Sequence, residues 1–274
     1  LFRSMNTVFT RSSLSINRGF KAIISIDLIF TSIALILLQE NPANGYEISI
    51  YGGFSSLIWT ILIISSVGSL GAITLQAFFT PRSGLWKIAF MNLLLNGFIT
   101  IAFHALRGYY RYTGIDQQYH LTVIQGLIRT GDLGESNFYP LGHILGATGS
   151  IISNVDPYCF FQYFPPFFSI FFLMIITYLL AKQTMRSKGE ILIAAAAAYI
   201  FFFNGLHPQF YPQTFSVFIL VFAIYVYITA LNTGQSRYAL LLIIVLVSLP
   251  FSHPTSSVIC ILSLLSMECA RFYL

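Results

Sequence analysis

The sequence predicts an all-α, polytopic membrane protein of about seven or eight transmembrane helices, with two juxtamembrane helices in an outer loop. Of its 274 residues, 56% are hydrophobic and 8% charged, and the mean hydropathy is +0.77. Soluble domains carry about 25% charged residues. The apolar residues fall in long unbroken runs, unlike the roughly ten-residue alternating strands of a transmembrane barrel. In lipid only helices and closed barrels satisfy their own backbone. Lys and Arg gather in alternate connections, as a multi-pass chain requires.

Residues 1–18 are polar and basic, with no signal peptide ahead of the first apolar run. Crossing the hydrocarbon takes about 20 apolar residues. Residues 20–38, 54–79, 86–106, 158–181 and 213–231 reach that scale, and 190–206 is slightly short. Residues 238–272 read either as one kinked span or as two short spans meeting at His253-Pro254. The expected division is a basic segment and two-helix hairpin over 1–85, then a transmembrane core over 86–274. The chain opens without Met and ends in apolar sequence, so a C-terminally incomplete core is expected.

Arg3, Arg11, Arg18 and Lys21 precede the first span, and Arg82 and Lys87 separate the second from the third. Lys182, Arg186 and Lys188 follow the fourth, and Arg237 follows the sixth. These ten of the fourteen basic residues mark the cytoplasmic side, with the N-terminus there. The net charge of +5 therefore sits in short loops and implies no nucleic-acid partner. Cys159, Cys260 and Cys269 make no disulfide framework. Asp27 stands alone inside the first span, where a Ser or Thr of a neighbouring helix could bond it.

The loop 107–157 then falls on the extracytoplasmic side, and it is polar where its surroundings are not. Charge near a bilayer is costly, so such a loop is a site hypothesis by default. Ile115, Tyr119, Val123 and Leu127 recur every fourth residue, with Ile124 and Ile128 beside them, which predicts a surface helix over 115–129. Gln117, Gln118, Thr122, Gln125 and Arg129 lie off that stripe. Thr113 and Asp116 fit a capping box, and Gly131 fits the stop. Asp116 and His120 share one helix edge.

Pro140 suits the first turn of a second helix, about 14 residues long and too short to span. Gly142, Gly146 and Ser150 form a small-residue strip for close packing. Asp156-Pro157 starts the fourth span. The sidedness also puts His207, in the link 204–213, and His253 on the face that carries Asp116, His120 and His143.

The segment Gly114-Ile115-Asp116 with His120, the stretch 126–131, and Phe138-Tyr139-Pro140-Leu141-Gly142-His143 together resemble the GT-C glycosyltransferases. These multi-pass enzymes use polyprenyl-phosphate sugars. The protein-mannosyltransferase-like and lipid A aminoarabinose-transferase-like branches are the most similar. The resemblance covers residues 86–181 by motif and the remainder by hydropathy. It implies a cell-envelope enzyme that moves a sugar from a lipid-phosphate donor to a glycan, lipid or protein acceptor at the outer face.

By that resemblance Asp116 is the reacting acid, either base on the acceptor or ligand to a divalent metal, and His120 is its catalytic neighbour. Displacing a lipid phosphate requires the attacking oxygen to lose a proton and the leaving phosphate to meet positive charge. Arg107 and Arg111 are the candidates for the phosphate, with Arg129 behind them. Tyr139, His143 and His207 are the further substrate-binding candidates. The metal set stays open, because Gln117 follows Asp116 and a second acid would come from Asp132 or Glu135.

Plainer readings stand beside these: Asp116 as a helix-start carboxylate, and arginines reaching for lipid headgroups. The alternative function is a multi-pass transporter or non-catalytic membrane scaffold. Its support is the Pro- and Gly-broken apolar sequence near 206–212 and 250–254.

Overall fold

A computed structural model describes residues 2–45, 47, 52–80, 83–109, 115–134, 137–202 and 211–273, of which 2–16, 115, 116, 201 and 202 are described by backbone alone. Among the described residues all regular structure is helical, in eleven α-helices and one 3-10 turn. Five helices are long and apolar enough to cross a membrane: α1 (Phe2–Glu40, through its part Asn17–Glu40), α2 (Ser56–Phe79), α7 (Pro157–Thr184), α9 (Pro212–Thr233) and α11 (Pro254–Tyr273). Their outward faces are apolar: Ile29, Ile63, Val67 and Ile261 are each more than half exposed. Apolar surface of that extent on several long helices fits contact with lipid.

The chain forms two compact units, Leu1–Tyr110 with Met185–Phe201, and Arg111–Thr184 with Phe202–Leu274. In the first, α1 and α2 pack with α3 (Trp86–Ile101) and α4 (Phe103–Leu106). Ala34, Leu38, Ile58, Leu62, Ile99 and Phe103 form the core, and Trp59 stacks on Phe103 with ring centroids 4.6 Å apart. Residues 86–106, expected as one span, are two helices broken at Ala102. No Pro or Gly marks that break, so hydropathy runs straight through it.

Helix α8 (Lys188–Ala198) begins with a full capping box, in which Ser187 Oγ accepts from the Glu190 N–H at 3.2 Å and Glu190 Oε2 accepts from the Ser187 N–H at 3.3 Å. It lies so close to α2 that a Cβ at Gly189 would sit 2.7 Å from the Ala77 carbonyl oxygen. The expected span over 190–206 appears as α8 and the 3-10 turn Tyr199–Phe202, and residues beyond 202 there lie outside the described ones.

In the second unit, α5 (Ile115–Thr130) ends at Gly131, whose φ of +73° is the left-handed stop and whose N–H donates to Leu127 at 2.9 Å. Helix α6 (Pro140–Ser153) carries Pro in its first turn and ends at left-handed Asn154. Gly142, Gly146 and Ser150 are buried on one strip. Asp156 Oδ1 then accepts from the Tyr158 N–H at 2.9 Å as α7 starts. Along α7, Phe160, Phe164, Phe168 and Phe172 stack in succession, and Phe168 also meets Phe215 and Phe218 of α9.

The buried face of α5 is not the stripe itself, which the sequence sets towards lipid or neighbouring spans. Gln117, His120, Leu121 and Ile124 face inward, while Tyr119 is 53% exposed. Leu121 and Ile124 pack against Ala147, Phe161 and Phe215, so the helix is rotated towards its polar edge. The physical reason is a polar partner on α6, His143, which hydrogen-bonds His120.

Residues 238–272 resolve into two helices, α10 (Ser236–Ser252) and α11, joined by the single extended residue His253 (φ −166°, ψ 124°). Ser216 and Ser256 are bonded at 2.6 Å, Ala223 and Cys260 share a core, and Tyr227 donates to Glu268. Pairs rising together in both helices mean that α11 runs parallel to α9. Helix α10 returns from α9 after the left-handed Gly234 and therefore runs against both.

Candidate functional site

The polar groups of the second unit gather where α5, the linker before α6, the start of α9 and the α10–α11 joint come together. His120 Nδ1 lies 2.8 Å from His143 Nε2, and His143 Nδ1 lies 3.0 Å from Asn137 Oδ1. The His120 ring meets Tyr211 edge-on at 6.4 Å and Tyr119 at 5.6 Å. Tyr139, one turn before His143 on α6, stacks on His253 at 5.4 Å with planes 16° apart. Asp116 lies in the first turn of α5, one turn before His120; its side chain is outside the described residues.

One backbone bond sets the proton positions through this chain. The Tyr139 N–H donates to Asn137 Oδ1 at 3.2 Å, an Asx turn that fixes the oxygen side of the amide. His143 Nδ1 must then donate to the same oxygen, which leaves the lone pair of neutral His143 on Nε2. His120 Nδ1 donates to that lone pair, so the neutral His120 ring carries its own lone pair on Nε2. Asn137 thus acts through His143 to hold His120 in the tautomer of a base or a ligand.

Burial, and next the neighbouring His120, push His143 down to about 4 from its ordinary 6.5. The unfolded chain takes up this proton near 6.5 and the folded chain only near 4. Stability is therefore undiminished above 6.5 and falls as the pH drops from 6.5 towards 4. The melting temperature of the protein should fall across that window, and His143→Asn should flatten the fall. Parallel pH profiles for the two proteins would contradict the assignment.

Three buried polar atoms in this unit have no hydrogen-bond partner among the described residues: Gln117 Oε1, Asn137 Nδ2 and His253 Nδ1. Such atoms are costly unless a ligand or water satisfies them. Among the described residues no three His, Cys, Asp or Glu side chains are placed to hold a metal ion.

The other expected residues fall elsewhere. Arg107 belongs to the first unit, is 4% exposed, and forms a bidentate pair with Glu47 at 2.7 and 2.8 Å. Its Nε donates to the Asn41 carbonyl at 3.1 Å and its guanidinium lies 4.2 Å over the Phe54 ring. The Tyr109 hydroxyl also donates to Glu47. The Arg107 hydrogen bonds, then that of Tyr109, hold the Glu47 carboxyl below its ordinary range. Arg129 is exposed at the end of α5, and exposed Asp132 accepts from the Gly134 N–H at 3.0 Å. Arg111, Thr113, Glu135 and His207 lie outside the described residues.

Sequence reasoning did not single out Asn137 or Glu47, and it read Tyr211-Pro212 as a turn or as a lining of the substrate cavity. Asn137 had a local signal, an Asn two residues before Tyr139-Pro140. Glu47 had none, because its partner lies 60 residues away. Set against known protein families, curated proteins and solved structures, the chain matches none.

Proposed function

We propose that the protein is a membrane glycosyltransferase of GT-C type, which moves a sugar from a polyprenyl-phosphate donor to an acceptor hydroxyl at the extracytoplasmic face. The observation that supports it is the His120–His143–Asn137 chain, which fixes the orientation of the His120 imidazole one turn after Asp116. Counting α3 with α4, and α8 and α10 as spans, brings the total to eight, with the N-terminus cytoplasmic by the distribution of Lys and Arg.

In this reading the acceptor oxygen forms its bond to the anomeric carbon as its proton passes to Asp116. The bond from that carbon to the phosphate oxygen breaks, and the lipid phosphate leaves with the electron pair. His120 Nε2 accepts a hydrogen bond from the acceptor and aligns it. Tyr119 and Tyr139 offer ring faces to the sugar, and Gln117, Asn137 and His253 offer the buried polar atoms that a hydroxylated ligand satisfies. Arg111 and Arg129 supply charge for the phosphate, while Arg107 holds the loop that carries Glu47. Among the described residues no complete metal set is present, and proton transfer to Asp116 needs none.

In nanodiscs the protein should bind a polyprenyl-phosphate sugar saturably, and polyprenyl phosphate without the sugar should compete. Failure of a folded protein to bind any such lipid would overturn the reading. Accumulation of a radiolabelled solute in proteoliposomes without consumption of lipid-linked sugar would support the transporter alternative.

A further inference from the structure

One end of the α5–α6 pair carries hydrogen-bonding groups whose chemistry narrows the sugar, given the glycosyl-transfer reading on which this inference rests. His120 pairs with His143 and Ile124 packs against Ala147, so α5 and α6 lie side by side and run in the same direction. That register sets Gln117 at the level of Pro140, where the linker with Asn137 and Tyr139 enters α6. Asp116 lies in the same turn of α5 as Gln117. Asn137, Tyr139 and His253 are half-buried, so this end of the pair opens to the surface.

Two amides at this end carry unpartnered atoms. The orientation of Asn137 is fixed, because the Tyr139 N–H at 3.2 Å and His143 Nδ1 at 3.0 Å both meet its Oδ1. Turning that amide over would set its own N–H groups against the backbone N–H. Asn137 Nδ2 is therefore a donor, buried and without a partner among the described residues. Gln117 is 2% exposed, and its buried Oε1 has no hydrogen-bond partner among the described residues. Turning the Gln117 amide puts a nitrogen in that place and leaves the place unpartnered. Buried polar atoms of this kind call for a ligand.

The surroundings select the ligand group. A phosphate or carboxylate would lie near Asp116 and the His143 ring, which stays neutral down to about 4, and its charge would be disfavoured there. A single hydroxyl would have to serve both amides at once. A planar trans amide presents its C=O and its N–H on opposite edges, and so meets a donor and an acceptor that stand on two different elements. The methyl group of an acetamide is apolar, as is the ring face of Tyr139, which stacks on His253 at 5.4 Å.

We infer that the transferred sugar is an N-acetylhexosamine. Its acetamido carbonyl accepts from Asn137 Nδ2, its acetamido N–H donates to Gln117 Oε1, and its methyl group lies against Tyr139. Because Gln117 adjoins the reacting Asp116, the acetamido group is the one on the carbon next to the anomeric centre. His253 Nδ1, the third unpartnered atom, meets a ring hydroxyl, to which an imidazole gives or from which it takes a proton according to its tautomer.

The test measures binding of two lipids to the full chain in nanodiscs, polyprenyl-phosphate N-acetylglucosamine and polyprenyl-phosphate glucose. The first should bind about tenfold tighter or more, because a site built for a polar group leaves its own polar atoms unpaired when that group is missing. Asn137→Asp keeps an oxygen for the Tyr139 N–H and His143 Nδ1 and puts a second oxygen in place of the Nδ2 donor. That variant should melt cooperatively and lose the preference between the two lipids. Gln117→Leu fills the same space without polar atoms and should reduce the preference.

Equal binding of the two lipids by the wild type would overturn the inference and leave the glycosyl-transfer reading in place. A preference undiminished in folded Asn137→Asp or in folded Gln117→Leu would also overturn it. Binding of neither lipid by folded wild-type protein would overturn glycosyl transfer, and this inference with it.

Discussion

Asp116→Asn lowers the turnover of lipid-linked sugar by about 10²–10⁴-fold, the usual worth of a general base, and leaves the melting temperature close to that of the wild type. The substitution keeps the shape of the side chain and its place in the first turn of α5. It removes the negative charge and with it the capacity to take a proton. A carboxylate that merely supports the first turn of α5 would behave differently. Asn and Ala would then each cost about 0.3–1 kcal/mol of stability, the usual worth of a carboxylate near a helix N-terminus, and leave turnover unchanged. The pair of variants separates the chemical from the structural role of one residue.

His120→Phe carries the second large effect, a fall in kcat of about 10²-fold, the scale of a lost alignment. The ring is replaced by one of similar shape, but no lone pair faces the acceptor and His143 Nε2 loses its donor at 2.8 Å. Asn137→Ala acts on the same chain from its far end. The Tyr139 N–H and His143 Nδ1 both lose their acceptor, so the tautomer of His143, and through it that of His120, is no longer set. A smaller fall in kcat with a displaced pH–rate profile is expected there. An unchanged profile would leave Asn137 as a turn residue only.

Much of this arrangement was legible in the sequence, for reasons that are local. Gly131 and Pro140 bracket the linker between α5 and α6, because one supplies the left-handed stop and the other a first helical turn. The long apolar runs predicted four of the five long helices, α1, α2, α7 and α9, and the fifth, α11, lies in the stretch 238–272 that allowed one span or two. The break at Ala102 was hidden, since it has no breaking residue and exchanges no hydrophobicity for polarity. The joint at His253 was ambiguous because one kinked span and two short ones share the same hydropathy; the pairs Ser216–Ser256 and Tyr227–Glu268 decide it.

Facing and pairing were the parts not legible. Periodicity located α5, but its rotation depends on a histidine 23 residues away, so the edge with Gln117 and His120 turned inward against the apolar stripe. Arg107 and Glu47 meet across 60 residues, and nothing local to either announces the other. Asp27 was visible as a lone acid in a span. Its surroundings come from three helices and form a hydrogen-bond network only when Thr31, Ser65, Asn92 and Asn96 are brought together. Long-range polar pairing is thus what neither periodicity nor hydropathy discloses.

The most direct measurement of the central claim is release of polyprenyl phosphate from a defined lipid-linked sugar by the reconstituted protein, with wild type and Asp116→Asn run side by side. The account predicts acceptor-dependent release by the wild type and almost none by the variant at equal folded protein. Equal release by the two, or none by a wild type that binds the donor, would contradict it.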